Sequence, residues 1–212
     1  MVSTLKVNKI QIPNSDSDVI SLDASTGNIT IPKPVTLSST LSGSGYDLLA
    51  SVYSTDTVAS VDIDLPSGYT SYYLNLYING DSTSNSENLD LTYKIDGSSS
   101  FLSSSFGTQN VLVDNGTRRN ENGTNSTMEL MTTNGPNDGW SSNVWLNGFG
   151  STQMSSLMNH ITSKGKGGTP STFVGGGGHT DVTTCMARAT AIRLSFTNGN
   201  IVEIHYRLFG IA

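Results

Sequence analysis

The stretch Val58-Ala59-Ser60-Val61-Asp62-Ile63-Asp64-Leu65 alternates apolar and polar residues. Val61, Ile63 and Leu65 fall on one side, and Ser60, Asp62 and Asp64 on the other. A period of two is the signature of a strand with one buried and one wetted face. Pro66-Ser67-Gly68 ends the run. Before it stands the apolar run Leu48 to Tyr53, and after it the run Tyr72 to Ile78, closed by the turn dipeptide Asn79-Gly80. Leu89, Leu91, Tyr93 and Ile95 alternate again before Asp96-Gly97. Two hairpin-like turns in succession predict antiparallel sheet. The strongest hairpin signal is Thr197-Asn198-Gly199-Asn200, between Ala191–Phe196 and Ile201–Ile211.

Further strand signals are Val111-Leu112-Val113, Thr127 to Thr132 and Val144 to Phe149. From Met154 to Ser163 a helical spacing would align Met154, Leu157, Met158 and Ile161, but no helix cap follows and β neighbours surround it, so a strand is expected. Gly116–Ser126 and the glycine-rich Gly165–Gly178 read as loops. Many short strands with few helices predict an all-β chain, with an antiparallel β-sandwich, jelly-roll-like, over residues 46–212.

Composition agrees. Only 13% of residues are charged against roughly 25% in ordinary globular proteins. Ser, Thr, Asn and 22 Gly take their place, which suits turns and pleated sheet more than helix surfaces. The net charge is −6 and the few Lys and Arg are scattered, which disfavours nucleic-acid binding, since that rests on clustered basic side chains. No apolar stretch approaches bilayer length and no signal-peptide pattern opens the chain, so a soluble protein is expected, without membrane insertion. The single cysteine, Cys185, excludes an intrachain disulfide; its surroundings read as those of a small buried hydrophobe, with a nucleophilic role as the alternative.

Residues 1–45 differ from the rest. Leu5, Val7, Ile10 and Ile12, then Val19–Leu22 and Asn28–Ile31, form β runs too short to bury a face alone. Pairing with further copies of the chain is the expected solution. A Ser/Gly-rich linker, Leu37–Gly45, leads into the larger domain.

Two stretches carry a family resemblance. Met1-Val2-Ser3-Thr4-Leu5-Lys6-Val7-Asn8-Lys9-Ile10, followed by Asp23-Ala24-Ser25-Thr26-Gly27-Asn28-Ile29-Thr30-Ile31, resembles the opening of tail-fibre and virion structural proteins of marine and cyanobacterial phages. Leu48–Ser51, Val61–Tyr69 and the closing Ala191–Ile211 are similar to the C-terminal head of phage fibre and appendage proteins. The resemblance implies a homotrimer made in the bacterial host cytoplasm and displayed on the virion. Residues 1–45 would then attach it to other phage structural proteins, and the head would serve host attachment. It supplies no catalytic residues, and it leaves tail and capsid both open as locations.

Catalytic and cofactor signatures are weak. Gly165-Lys166-Gly167-Gly168-Thr169-Pro170 lacks the Lys-Ser/Thr ending and the following helix of a phosphate-binding loop. His160, His179 and His205 lie far apart, with no ligand spacing for a metal, and no cofactor is implied. A solvated strand face is the reading for His205, and a hydrogen bond to Asp181 for His179. Asp62 and Asp64 share a face, and the remaining carboxylates are dispersed, so the pair a tailspike-like polysaccharide depolymerase requires is unsignalled. Sugar binding is the surface activity expected, because Trp and Tyr stack on sugar rings while Asn and Asp bond hydroxyls. Trp140, in the turn-like Asp138-Gly139-Trp140, together with Asn137, Asp138 and Asn143, is the candidate receptor contact; Trp145 reads as packed. The expectation is a non-enzymatic tail fibre or appendage, with a capsid fibre, knob or decoration protein as alternative and a depolymerase third.

Overall fold

The computed structural model describes residues 9–11, 18–22, 29–30, 45–81, 87–114, 117–133, 139–153, 156–166 and 171–212. The chain divides into two units, Met1–Gly43 and Ser44–Ala212. In the first, β1 (Lys9–Gln11), β2 (Asp18–Leu22) and β3 (Ile29–Thr30) form an antiparallel sheet in that order. Ile10 stands opposite Ile20, and Leu22 opposite Ile29. The short runs thus find partners in one another.

The second unit holds β4 (Asp47–Ser54), β5 (Ser60–Asp64), β6 (Ser71–Gly80), β7 (Glu87–Ile95), β8 (Phe106–Asp114) and β9 (Thr117–Asn125). It continues with β10 (Met128–Thr133), β11 (Gly139–Asn147), β12 (Leu157–Lys166), β13 (Ser171–His179), one turn of helix α1 (Val182–Cys185), β14 (Ala189–Phe196) and β15 (Ile201–Ile211). Two antiparallel sheets result: a small one, β5-β14-β7-β10, and a large one, β4-β15-β6-β11-β12-β13-β8-β9. If β5 to β11 and then β14 are counted as eight strands, the small sheet holds the first, eighth, third and sixth side by side. The large sheet holds the second and seventh, then the fourth and fifth. That is jelly-roll order, opened between β11 and β8 by the added pair β12–β13 and extended beyond β6 by β15 and β4.

The two inner faces make the core. β6 buries Tyr72, Leu74, Leu76 and Ile78 on alternate positions; opposite them the small sheet supplies Ile63, Leu89, Leu91, Tyr93, Ile192 and Leu194. Each such side chain contributes roughly 1.5–3 kcal/mol on leaving water, so the period of two specifies the register as well as the strand. The polar side of β5 faces out, where Arg193 bonds Asp62 through two nitrogens at 2.7 and 2.8 Å and lies 4.1 Å from the Phe101 ring centroid.

Under the added pair the inner face turns polar. Successive cross-strand neighbours there are Val144, His160, Gly175 and Asn110, flanked by Ser142 and Thr162, whose hydroxyls are 2.7 Å apart. β10 packs across β12, β13 and β8 and helps shut these groups from water.

Several sequence expectations are corrected. Asn198-Gly199 does not close a hairpin, because β14 and β15 belong to different sheets. Gly199 adopts φ +89°, and the turn is tied to the end of β6: Asn200 donates its N–H to Asp81 Oδ1 (2.6 Å) and its Nδ2 to Oδ2 (3.0 Å). Asn79-Gly80 is still strand, and Gly80 lies against the Phe196 ring. β7 likewise crosses between sheets after Asp96-Gly97. A turn dipeptide fixes a reversal, not the sheet in which the chain resumes. The stretch Gly116–Ser126, expected as loop, is largely β9, an edge strand whose pairing to β8 uses backbone groups that its polar composition does not reveal. Gly165–Gly178, also expected as loop, runs through the end of β12 and most of β13.

Candidate functional site

Of the four residues expected to contact a receptor, Asn137 and Asp138 lie outside the described residues. Trp140 is not in a turn: it belongs to β11, faces the other sheet and is 2% exposed. Strand alternation places every second residue of β11 inside, so Trp140, Ser142, Val144 and Leu146 are buried. Asn143 and Trp145 take the outer face. Trp140 is therefore buried where a displayed ring was expected, while Trp145, expected to be packed, is half-buried on the outer face.

Trp145 belongs to a row that crosses the outer face of the large sheet. Register pairs connect Leu48 to Phe209, Phe209 to Tyr73, Tyr73 to Trp145, Trp145 to Asn159, Asn159 to Gly176 and Gly176 to Gln109. Directly opposed residues share a face. The Tyr73 and Trp145 ring centroids are 5.4 Å apart with planes at 38°, and those of Tyr73 and Phe209 are 5.8 Å apart at 31°. Tyr46, 48% exposed, meets Tyr73 edge-on at 6.2 Å. Tyr46, Tyr73, Trp145 and Phe209 wall an open cleft of about 330 Å³.

Polar groups border it. The Tyr73 hydroxyl donates to Asn143 Oδ1 at 2.5 Å, and Asn75 Nδ2 donates to the same oxygen at 3.0 Å. Both bonds end on Oδ1, which leaves the Nδ2 of Asn143 as a donor for a ligand. The exposed Arg207 lies opposite Asn75 in the same neighbouring row. Asn143 is thus the expected contact residue that the structure brings beside the outer-face aromatics. The signal that finds Trp145 is parity: it shares its strand face with Asn143, not with the apolar Val144 and Leu146.

The same outer face carries a second trough, about 610 Å³, over β12, β13 and β8. Its floor is Gly175–Gly178 and its sides include Leu157, Asn159 and Gln109. The adjacent row, Ile161, Val174 and Val111, is apolar, with Ile161 and Val174 exposed.

Cys185 is buried at the end of α1, its thiol pushed up by burial and donating to the His179 carbonyl. His179 Nδ1 accepts the Asp181 N–H at 3.1 Å, while the Asp181 carboxylate caps α1 through the Thr183 N–H. His205 is exposed, edge-on to Tyr53. Burial pulls His160 down to about 4, against a hydrogen bond to the Glu129 backbone. Asp90 stands opposite Glu129, and burial pushes it up to about 6; the Glu129 charge raises it further, while hydrogen bonds from Thr127 and Thr197 oppose the shift. Neither carboxyl lines the nearby depression between Arg193, Phe101 and Thr127. Among the described residues no group of three or more His, Cys, Asp or Glu is placed to hold a metal ion, and no helix is long and apolar enough to cross a membrane.

Comparison with protein-family models, with curated proteins and with solved structures gives no match to this chain.

Proposed function

We propose that the chain is a non-enzymatic structural protein of a bacteriophage particle, a trimeric tail fibre or tail appendage. Residues 1–45 attach it to the particle, and the jelly-roll head contacts host-surface glycans. The observation that carries the binding role is the open aromatic cleft of the exposed Tyr46 and the half-buried Tyr73, Trp145 and Phe209, bordered by Asn143 and Asn75. Flat rings cover the apolar face of a pyranose while amides bond its hydroxyls. The attachment role rests on the resemblance of residues 1–31 to phage fibre openings, together with the separate sheet of the first unit. Three copies would multiply a weak single-site affinity.

The test is binding of the full chain to glycans prepared from candidate host surfaces, with Trp145→Ala and Asn143→Ala as variants. Retention of wild-type binding by Trp145→Ala would remove the cleft from the reading. A second reading, a shell-decorating protein without a sugar ligand, is favoured by the apolar row Ile161, Val174 and Val111, which suits burial against another protein. Imaging of the particle separates the two by locating the chain at tail or shell.

A further inference from the structure

The cleft and the glycine trough are not two separate features. Trp145, a wall of the first, is the register partner of Asn159, a wall of the second. From Phe209 through Tyr73, Trp145, Asn159 and Gly176 to Gln109, one row crosses six neighbouring strands. At ~4.8 Å between strands the row is about 24 Å long, far more than a single pyranose ring occupies.

The row changes character along its length in a directed way. Three rings stand at one end. In the middle the Asn159 carboxamide lies across Gly176: a β-carbon at Gly176 would sit 2.8 Å from Asn159 Oδ1. Gly175–Gly178 line the trough without side chains of their own, between the exposed Asn159 and Gln109. No member of the row from Leu48 to Gln109 is charged.

We propose that this row is a groove for an extended, uncharged polysaccharide, which crosses the strands from the rings of Phe209, Tyr73 and Trp145 to the amides of Asn159 and Gln109. The inference rests on the reading that the head binds sugar, and adds the class of ligand and its path. A neutral polymer fits because amides both donate and accept toward hydroxyls; no member of the row is a cation, and Arg207, which borders the ring end, stands in the neighbouring row. The glycine floor gives the polymer room to lie flat, and each further sugar unit reaches one more strand.

The test uses the full chain and two neutral series, cello-oligosaccharides and manno-oligosaccharides of one to six units, by titration calorimetry. Affinity for one series is expected to climb with length, roughly tenfold or more from dimer to hexamer. Asn159→Ala and Gln109→Ala, both at exposed positions, are expected to erase most of that gain while leaving the dimer unaffected; Trp145→Ala is expected to weaken every length. Affinity independent of length, or hexamer binding untouched in both amide variants, overturns the groove and leaves the cleft reading standing. Binding by neither series overturns the groove and withdraws support from the cleft reading as well. Tighter binding of a polyuronate than of either neutral series contradicts the uncharged ligand. Burial of Gln109 and Asn159 between copies, seen as their protection from exchange in the assembled oligomer, assigns this face to self-association instead.

Discussion

Gly175 lies directly beneath the side chain of Asn110: a β-carbon built on the glycine would stand 1.8 Å from Asn110 Oδ1. Asn110 is 1% exposed, and neither of its amide atoms has a hydrogen-bond partner among the described residues. Gly175→Ala is therefore expected to destabilise the head by several kcal/mol, in the range of overpacked cores. Asn110→Ala in the same chain should recover part of the loss, not all, because the Gln109 carbonyl also lies 2.8 Å from the new carbon. Denaturant unfolding of both single variants and the double variant checks this as a coupling energy. Strict additivity would show that the two residues do not contend for the same space.

Tyr93 presents a simpler case. Its ring packs 4.9 Å from Phe149 and 5.7 Å from Phe106, centroid to centroid, while its buried hydroxyl has no partner among the described residues. Tyr93→Phe keeps the packing and removes an unsatisfied polar atom, so a gain of about 1 kcal/mol is expected. For a domain of this size that is a rise of roughly 2–4 °C in Tm. A clear loss of stability would mean that the hydroxyl is satisfied in solution.

The half-buried Asp90 and the buried His160 set opposing pH dependences. Asp90, raised to about 6, holds its proton more tightly folded than unfolded, so its ionisation costs stability above that pH and the cost is relieved as pH falls from 6 towards 3.8. His160, lowered to about 4, stays neutral when an unfolded histidine would charge, so stability is lost as pH falls from 6.5 towards 4. Each shift corresponds to on the order of 3 kcal/mol, less for the partly sheltered Asp90. The two contributions nearly offset each other in the wild type. Asp90→Asn is expected to be more stable than wild type at pH 7 and to lose stability steeply between pH 6.5 and 4. His160→Gln should instead gain stability over that acidic interval. Unfolding curves at half-unit pH steps would expose the pair, and parallel profiles for all three proteins would refute it.

The strands that face both a core and water were legible in the sequence, because burial writes a period of two into β5, β6, β7, β14 and β15. What was hidden follows from physics that composition does not record. A β-carbon at any of the four glycines of β13 would press on Asn110, Asn159 or a neighbouring backbone carbonyl, so a strand is written in residues that read as a loop. β9 is an edge strand whose full length pairs with β8, a backbone ladder that a polar sequence does not announce. Asn198-Gly199 fixes a reversal, but β15 resumes between β4 and β6, and the turn is tied to Asp81, 119 residues away from Asn200 in the chain. The candidate site suffered from the same limit. Asp138-Gly139-Trp140 has turn composition, yet pairing with both β6 and β12 draws Trp140 into a central strand and turns its ring inward.

The two tryptophans of β11 consequently separate stability from binding. Trp140→Ala empties a buried position and is expected to cost about 3–5 kcal/mol, with whatever loss of binding follows from unfolding. Trp145→Ala removes an outer-face ring whose neighbours Tyr73 and Phe209 remain packed, so a smaller cost, about 1 kcal/mol, is expected from the lost ring contact. Its effect on glycan binding should be much larger, because the cleft loses one of its four aromatic walls. Circular dichroism melts measured alongside binding on the same preparations distinguish the two. If Trp140→Ala folds normally and loses binding while Trp145→Ala binds as wild type, the ligand site is on the opposite face of β11 from the one the structure exposes.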